Sequence, residues 1–268
     1  MKPLKPIEDI VLSTRKNGPA ILIALGMFLV WEYLSRAELI SKIFFPAPSK
    51  IFSYFLTMLM DGELLVATGA SLGRLCAGFL VGAIPGLFLG LAMGLSRRLQ
   101  NIVDPFIAAL YPIPKIAIFP FIMFIFGIGD LSKIFAIAIT AFFPLLINTI
   151  AGVREINPVY LEVARNFGAS RWNTLVKVIL PGSLPMILAG VRIAINTSLM
   201  IVIAVELLVA RTGLGVIIWF GWETLNILEL YAALIMTALI GIGFNILLHW
   251  LSERLAPWNF YLDSEEKK

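Results

Sequence analysis

Six apolar runs, at approximately 18 to 35, 65 to 95, 102 to 127, 132 to 152, 184 to 210 and 229 to 252, leave this chain few ways to fold. A run of about 17 to 25 apolar residues can cross roughly 30 Å of hydrocarbon as a helix. With 59% hydrophobic and 14% charged residues, the chain cannot bury this surface in a soluble core. The expected class is therefore an all-α integral membrane protein of about six transmembrane helices. The first run reads as an uncleaved signal anchor, and the second is long enough that it must tilt. Pro112, Pro114 and Pro120 break the third. Trp219 and Trp222 suggest an interfacial segment after the fifth.

Charge supplies an orientation. With the N-terminus inside, Lys2, Lys5, Arg15, Lys16, Arg97, Arg98, Arg154, Arg165, Arg171, Lys177, Arg254, Lys267 and Lys268 share the inner side. Only Arg36, Lys42, Lys50, Lys133 and Arg211 lie outside, so the positive-inside rule predicts that both termini are cytoplasmic. The expected organisation is a cytoplasmic segment 1–17, a first helix with its outer connector over 18–64, a core over 65–255 and a cytoplasmic tail 256–268. A formal net charge of +4 points to no nucleic acid. Cys76 stands alone, which excludes a disulfide framework.

Residues 154–181 form a polar island that this topology puts in the cytoplasm, facing a soluble partner. Asn157-Pro158 can open a helix, with Asn as cap and Pro in the first turn. Leu161, Ala164 and Phe167 share one side of that helix, and Gly168 lets the chain turn. A second helix over 170–179 carries Trp172, Leu175, Val176 and Ile179 on a face that can pack on the membrane domain. Pro181 is expected to end it.

Glu162-Val163-Ala164, three residues, Gly168, nine residues, then Val178-Ile179-Leu180-Pro181 resembles the EAA loop of permease subunits in binding-protein-dependent ABC importers. Val163 and Val178 depart from that pattern by small apolar changes. Ser71-Leu72-Gly73-Arg74, Asp104-Pro105, Pro112-Ile113-Pro114, Phe126-Gly127-Ile128-Gly129, Ala141-Phe142-Phe143-Pro144, Ala204-Val205-Glu206 and Gly213-Leu214-Gly215 resemble the nitrate, sulfonate, taurine and bicarbonate branch. The resemblance implies a type I importer permease fold and a multi-pass protein of the bacterial inner membrane. Its implied partners are a second permease copy forming a homodimer, two cytoplasmic ATP-binding subunits, a periplasmic or lipid-anchored solute-binding protein, and membrane lipid. The coupling residues it implies, within a loop at 153–183, are Glu162, Val163, Ala164, Arg165, Phe167, Gly168 and Ala169. The chain has no G-x-x-x-x-G-K-[ST] loop, so no cofactor is expected in it, and ATP and magnesium fall to the partner. The chain is thus expected to be a transport subunit without catalytic or metal residues.

Gly78, Gly82, Gly86, Gly90 and Gly94 recur every fourth residue, a stripe that lets another helix approach closely. Pro85 should kink it. Polar residues within lipid depth should face protein or water, which makes Arg74, Lys115, Asn148, Asn196 and Glu206 candidates for a translocation pathway. Together with Arg192 the cations outnumber the acids, favouring an anionic solute. Two other classes compete. Gly69-Ala70-Ser71-Leu72-Gly73 fits G-x-S-x-G, and with His249 it would suggest an intramembrane serine protease resembling the rhomboids; their depths along the spans differ too much for a nucleophile and its base. An ion-coupled carrier would need no ATPase and leaves the EAA spacing unexplained.

Overall fold

The structure is a computed structural model that describes residues 6–258, without the side chains of 6–17 and 20. Lys2, Lys5, Lys267, Lys268 and most of the expected tail lie outside the described residues. Eleven α-helices occur among those described: α1 (Pro6–Arg36), α2 (Pro48–Met60), α3 (Glu63–Leu95), α4 (Arg97–Leu110), α5 (Phe119–Phe126), α6 (Asp130–Arg154), α7 (Pro158–Asn166), α8 (Arg171–Thr174), α9 (Leu180–Val209), α10 (Leu214–Glu223) and α11 (Ile227–Leu255). A π turn, Leu175–Ile179, joins α8 to α9.

Among the described residues, four stretches are long and apolar enough to cross a membrane: Glu63–Leu95, Asp130–Arg154, Arg171–Val209 and Ile227–Leu255. Four of the six expected spans are thus seen as single long helices among the described residues, while the third run is broken and the first forms part of α1. The third is not one helix. Pro112 and Pro114 have no N–H to continue α4, and the chain is irregular until α5 begins at Phe119. The two pieces cover different halves of the bundle. Leu99, Val103 and Ile107 of α4 pack against Met93, Leu146 and Ile150. Phe119 and Ile122 of α5 pack against Leu75, Ile137 and Val202. Together they stand where a single third helix was expected. The first run lies within the longer α1, whose Leu22, Ile23, Met27 and Leu29 are exposed. Its end is tied to the start of α2 by Glu32, which accepts from the Ser49 N–H at 3.0 Å and hydroxyl at 2.7 Å.

The core is a layer in which α6 lies between α3 and α9. An added Cβ at Gly78, Gly86, Gly90 or Gly94 would come within 2.5 to 2.7 Å of α6, at Ile137, Phe142, Thr149 and Val153. At Gly82 it would meet the Ala138 carbonyl oxygen. The stripe is therefore a seam in which absent side chains bring two backbones together. α6 meets α9 through Gly152, against Ser183 and Met186, and Gly190, against Asn148. At the end holding Glu63, a cluster of Leu64, Ala67, Leu214, Ile217, Ala232 and Ala233 joins α3, α10 and α11. Trp219 and Trp222 project from α10 and are exposed, as side chains at a lipid interface would be.

Pro181 does not end the helix begun at Arg171. The Leu180 N–H donates to the Leu175 carbonyl, five residues back, and this wider turn absorbs both the missing proline N–H and the clash of its ring with the preceding turn. The helix continues to Val209.

Candidate functional site

At the end of the bundle holding Arg154, the chain leaves α6 and forms α7. The Asn157 side chain accepts from the Val159 N–H at 3.0 Å, and Pro158 occupies the first turn. Gly168 has φ +70°, where a side chain would be strained. Ser170 then caps α8 by accepting from the Asn173 N–H at 3.2 Å. This is the expected helix, turn and supporting helix, but its faces differ from the reading above. Ala164 is buried and Leu161 half-buried, whereas Phe167 is 88% exposed. Trp172 and Val176 are exposed too, and the supporting helix packs inward through Leu175, Val178 and Ile179. Leu175 and Ile179 of the anticipated face thus do point inward, and Trp172 and Val176 do not. Glu162, Val163 and Arg165 are exposed, and Ala169 is half-buried. Val159, Tyr160, Val163 and Phe167 thus present an apolar surface on a helix fixed at both ends.

Arg74 and Glu206 meet at the other end of the layer. Glu206 is 1% exposed and Arg74 7%. Arg74 Nη1 donates to Glu206 Oε1 at 2.6 Å and to the Thr212 carbonyl at 2.5 Å, Nη2 to Thr212 Oγ1 at 3.0 Å, and Nε to Asp130 at 2.8 Å. Glu206 Oε2 accepts from the Ser71 hydroxyl at 2.7 Å and the Gly215 N–H at 3.1 Å, while Ser71 Oγ accepts from the Leu214 N–H at 2.9 Å. Lys133 reaches Asp130 at 3.3 Å. Gly213 has φ +127°, and a side chain there would run into the Glu206 carboxyl. The cluster fastens 212–215 to α3, α6 and α9. Ser71, Arg74 and Glu206 find their partners within the protein while Asp130 stays largely exposed, which makes the cluster a clamp in form.

Lys115 lies in the break between α4 and α5. Its ammonium donates to the carbonyls of Leu110, Tyr111 and Ile113 at 3.3, 2.6 and 2.8 Å. The rings of Tyr111 and Phe143 have their centres 5.5 and 4.9 Å away. The charge thus caps the free carbonyls at the end of α4. Asn148 donates to the Pro144 carbonyl at 2.8 Å, a bond within its own helix. Asn196 is half-buried on α9. Arg192 lines a cavity with His249 and Ser252, between α9 and α11. Of the candidate pathway residues, the structure brings Arg74 and Glu206 together and leaves Lys115, Asn148 and Asn196 separate from them. Asp130 and Thr212, which complete the clamp, were missed because each is an ordinary residue at a span end.

Ser71 and His249 do not form a catalytic pair. Ala67 and Ala233 share one cluster; Ser71 lies one turn beyond Ala67, and His249 lies sixteen residues beyond Ala233, so their levels differ by roughly 18 Å. The Ser71 hydroxyl serves Glu206 and Leu214. Among the described residues no group of three His, Cys, Asp or Glu side chains is placed to hold a metal.

A family model described as "Binding-protein-dependent transport system inner membrane component" matches residues 82–260. The taurine transport system permease protein TauC of Escherichia coli is 34% identical over 238 residues, covering 87% of this chain and 86% of its own length. The bicarbonate transport system permease protein CmpB of Synechococcus elongatus is 33% identical over 239 residues, covering 85% of each. The nitrate import permease protein NrtB of Leptolyngbya laminosa is 34% identical over 74% of this chain and 71% of its own. Among solved structures, an amino acid ABC transporter crystallised with histidines has a chain that superposes with a TM-score of 0.58 at 19% identity, over 75% of this chain and 98% of that one. A chain of the inward-facing MetNI methionine transporter gives 0.53 at 21% identity, over 72% and 93%. At such identities these two structures speak to the fold.

Proposed function

The chain belongs to the family of binding-protein-dependent transport system inner membrane components, and from that membership we propose that it carries a small anionic solute of the taurine, sulfonate, nitrate or bicarbonate type through the membrane by alternating access. Two copies form the pathway. The end bearing α7 faces the cytoplasm, in line with the positive-inside excess, and each α7 seats in a cleft of an ATP-binding subunit. That subunit holds ATP and magnesium, and a solute-binding protein delivers the solute to the opposite end. The observation that carries this reading is the exposed apolar surface of α7, with Phe167 88% exposed beside a helix fixed by the Asn157 cap and the Gly168 turn. A large aromatic held out from a rigid helix end has the character of an interface anchor.

Copurification with the ATP-binding subunit tests the reading. Phe167→Ala, Glu162→Lys and Gly168→Val are each expected to weaken association about tenfold or more, with the permease still extracted as a folded protein. Undiminished copurification of all three variants would remove α7 as the docking element.

A further inference from the structure

Residues 111–118 pose a problem of backbone chemistry. They are not helical, they include Pro112 and Pro114, and they lie part-way through the bundle between α4 and α5. Their outward face, including Tyr111, Ile113 and Ile116, is exposed. Within hydrocarbon, irregular backbone is tolerated only where protein covers it or where it lines a water-filled cavity. That face therefore meets the pathway or the second copy, and lipid is excluded from it.

Beside this break lies a groove of about 400 Å³ between α3 and α6. Val81, Pro85, Ile139 and Phe143 give it apolar walls, and Lys115 is the charged residue lining it. Among the described residues no carboxylate pairs with Lys115. Its charge is met by carbonyl dipoles and two ring faces, and the longest of its bonds, 3.3 Å to Leu110, is the one an anion would most readily replace.

We propose that this groove is a solute subsite for an organic anion, with a sulfonate or carboxylate head at Lys115 and a short aliphatic body along Val81, Ile139 and Phe143. The inference rests on the permease reading and narrows it. Nitrate or bicarbonate would lose hydration on entering walls that return no hydrogen bonds, and either would leave most of the volume empty. An alkyl chain fills the space and gains by leaving water, by about fourfold in affinity per buried methylene. A lipid headgroup is disfavoured, because the charge lies in the middle of a crossing helix pair and not at a bundle end.

The test is calorimetry on the full-length permease in nanodiscs of zwitterionic lipid, with hexane-1-sulfonate, butane-1-sulfonate, nitrate and hexan-1-ol at up to millimolar concentrations. Saturable binding of hexane-1-sulfonate is expected, about sixteenfold weaker for the butane analogue. Lys115→Met should weaken it at least about tenfold, Lys115→Arg should largely retain it, and Val81→Trp should abolish it by filling the groove. Nitrate binding as tightly as hexane-1-sulfonate would overturn the proposal. So would hexan-1-ol binding as tightly, since an apolar groove alone would then suffice, or the absence of saturable sulfonate binding. If Lys115→Met fails to fold, the chain-length series and Val81→Trp still decide. Copurification of the ATP-binding subunit, measured on the same preparation, separates the two readings: intact docking without sulfonate binding refutes the subsite alone.

Discussion

Replacing Glu206 by glutamine isolates the electrostatic part of the clamp, because shape is kept and charge is lost. Glu206 Oε1 receives Arg74 Nη1, and Oε2 receives Ser71 Oγ and the Gly215 N–H. All three are donors as placed. A glutamine has one acceptor oxygen and one donor nitrogen, so in either orientation a donor faces a donor. Removing one member of a buried pair costs about 3–5 kcal/mol. Arg74 keeps Asp130 and the Thr212 carbonyl, but Asp130 is 62% exposed and screened. Glu206→Gln is therefore expected at the lower end, about 3 kcal/mol. Arg74→Met strands a carboxylate with only a hydroxyl and an amide and should cost about 4 kcal/mol. The double variant should fall short of the sum by about 2 kcal/mol, within the usual range for contacting residues. Reversible unfolding of the solubilised protein in a double-mutant cycle measures all three. Additive single effects, or a Glu206→Gln loss under about 0.5 kcal/mol, would refute the clamp.

Gly82→Val should destabilise by more than the usual overpacking cost of about 1–3 kcal/mol, since its Cβ meets backbone of α6 that cannot swing aside; Gly73→Val, whose Cβ meets nothing within 4 Å, is the control, and equal melting temperatures for the two would refute the seam. Asn157→Ala removes the cap on α7 and should cost about 1 kcal/mol locally, seen as roughly fivefold faster amide exchange in α7 with exchange in α3 and α6 unchanged.

Much of this arrangement was legible from residue pattern, and the failures have physical causes. Hydropathy located the long helices because burying apolar length needs no knowledge of partners. The glycine stripe announced a close approach but not its target, since the α6 side of the seam uses Ile137, Ala138, Phe142, Thr149 and Val153, which carry no small-residue signature. Pro112 and Pro114 were read as a break, yet only packing shows that α4 and α5 then serve opposite halves. Arg74 and Glu206 each stood out as costly in lipid. Their pairing across 132 positions leaves no local trace, and so they read as pathway candidates. Pro181 misled because proline penalties assume α geometry, and the turn at Leu175–Ile179 is wider.

These same contacts constrain how movement can pass through the protein. The helix Arg171–Val209 has 39 residues, about 58 Å at 1.5 Å per residue. It begins beside α7 and carries Glu206 near its far end. Along its length Gly152 and Gly190 lock it to α6, and α6 is locked to α3 by the glycine seam. At the far end the clamp joins α3, α9 and the first turn of α6. Interlocked contacts of this kind resist sliding, so α3, α6 and α9 behave as one body. In the proposed function, a displacement applied at α7 would pass to residues 212–215 through that body. On the same reading, opening and closing of the pathway would then arise between this body, with α4 and α5 packed on it, and a second copy. The break at 111–118 is held to that body by Phe119 and Ile122 of α5, and the Lys115 ammonium braces it from within by holding the carbonyls of Leu110, Tyr111 and Ile113.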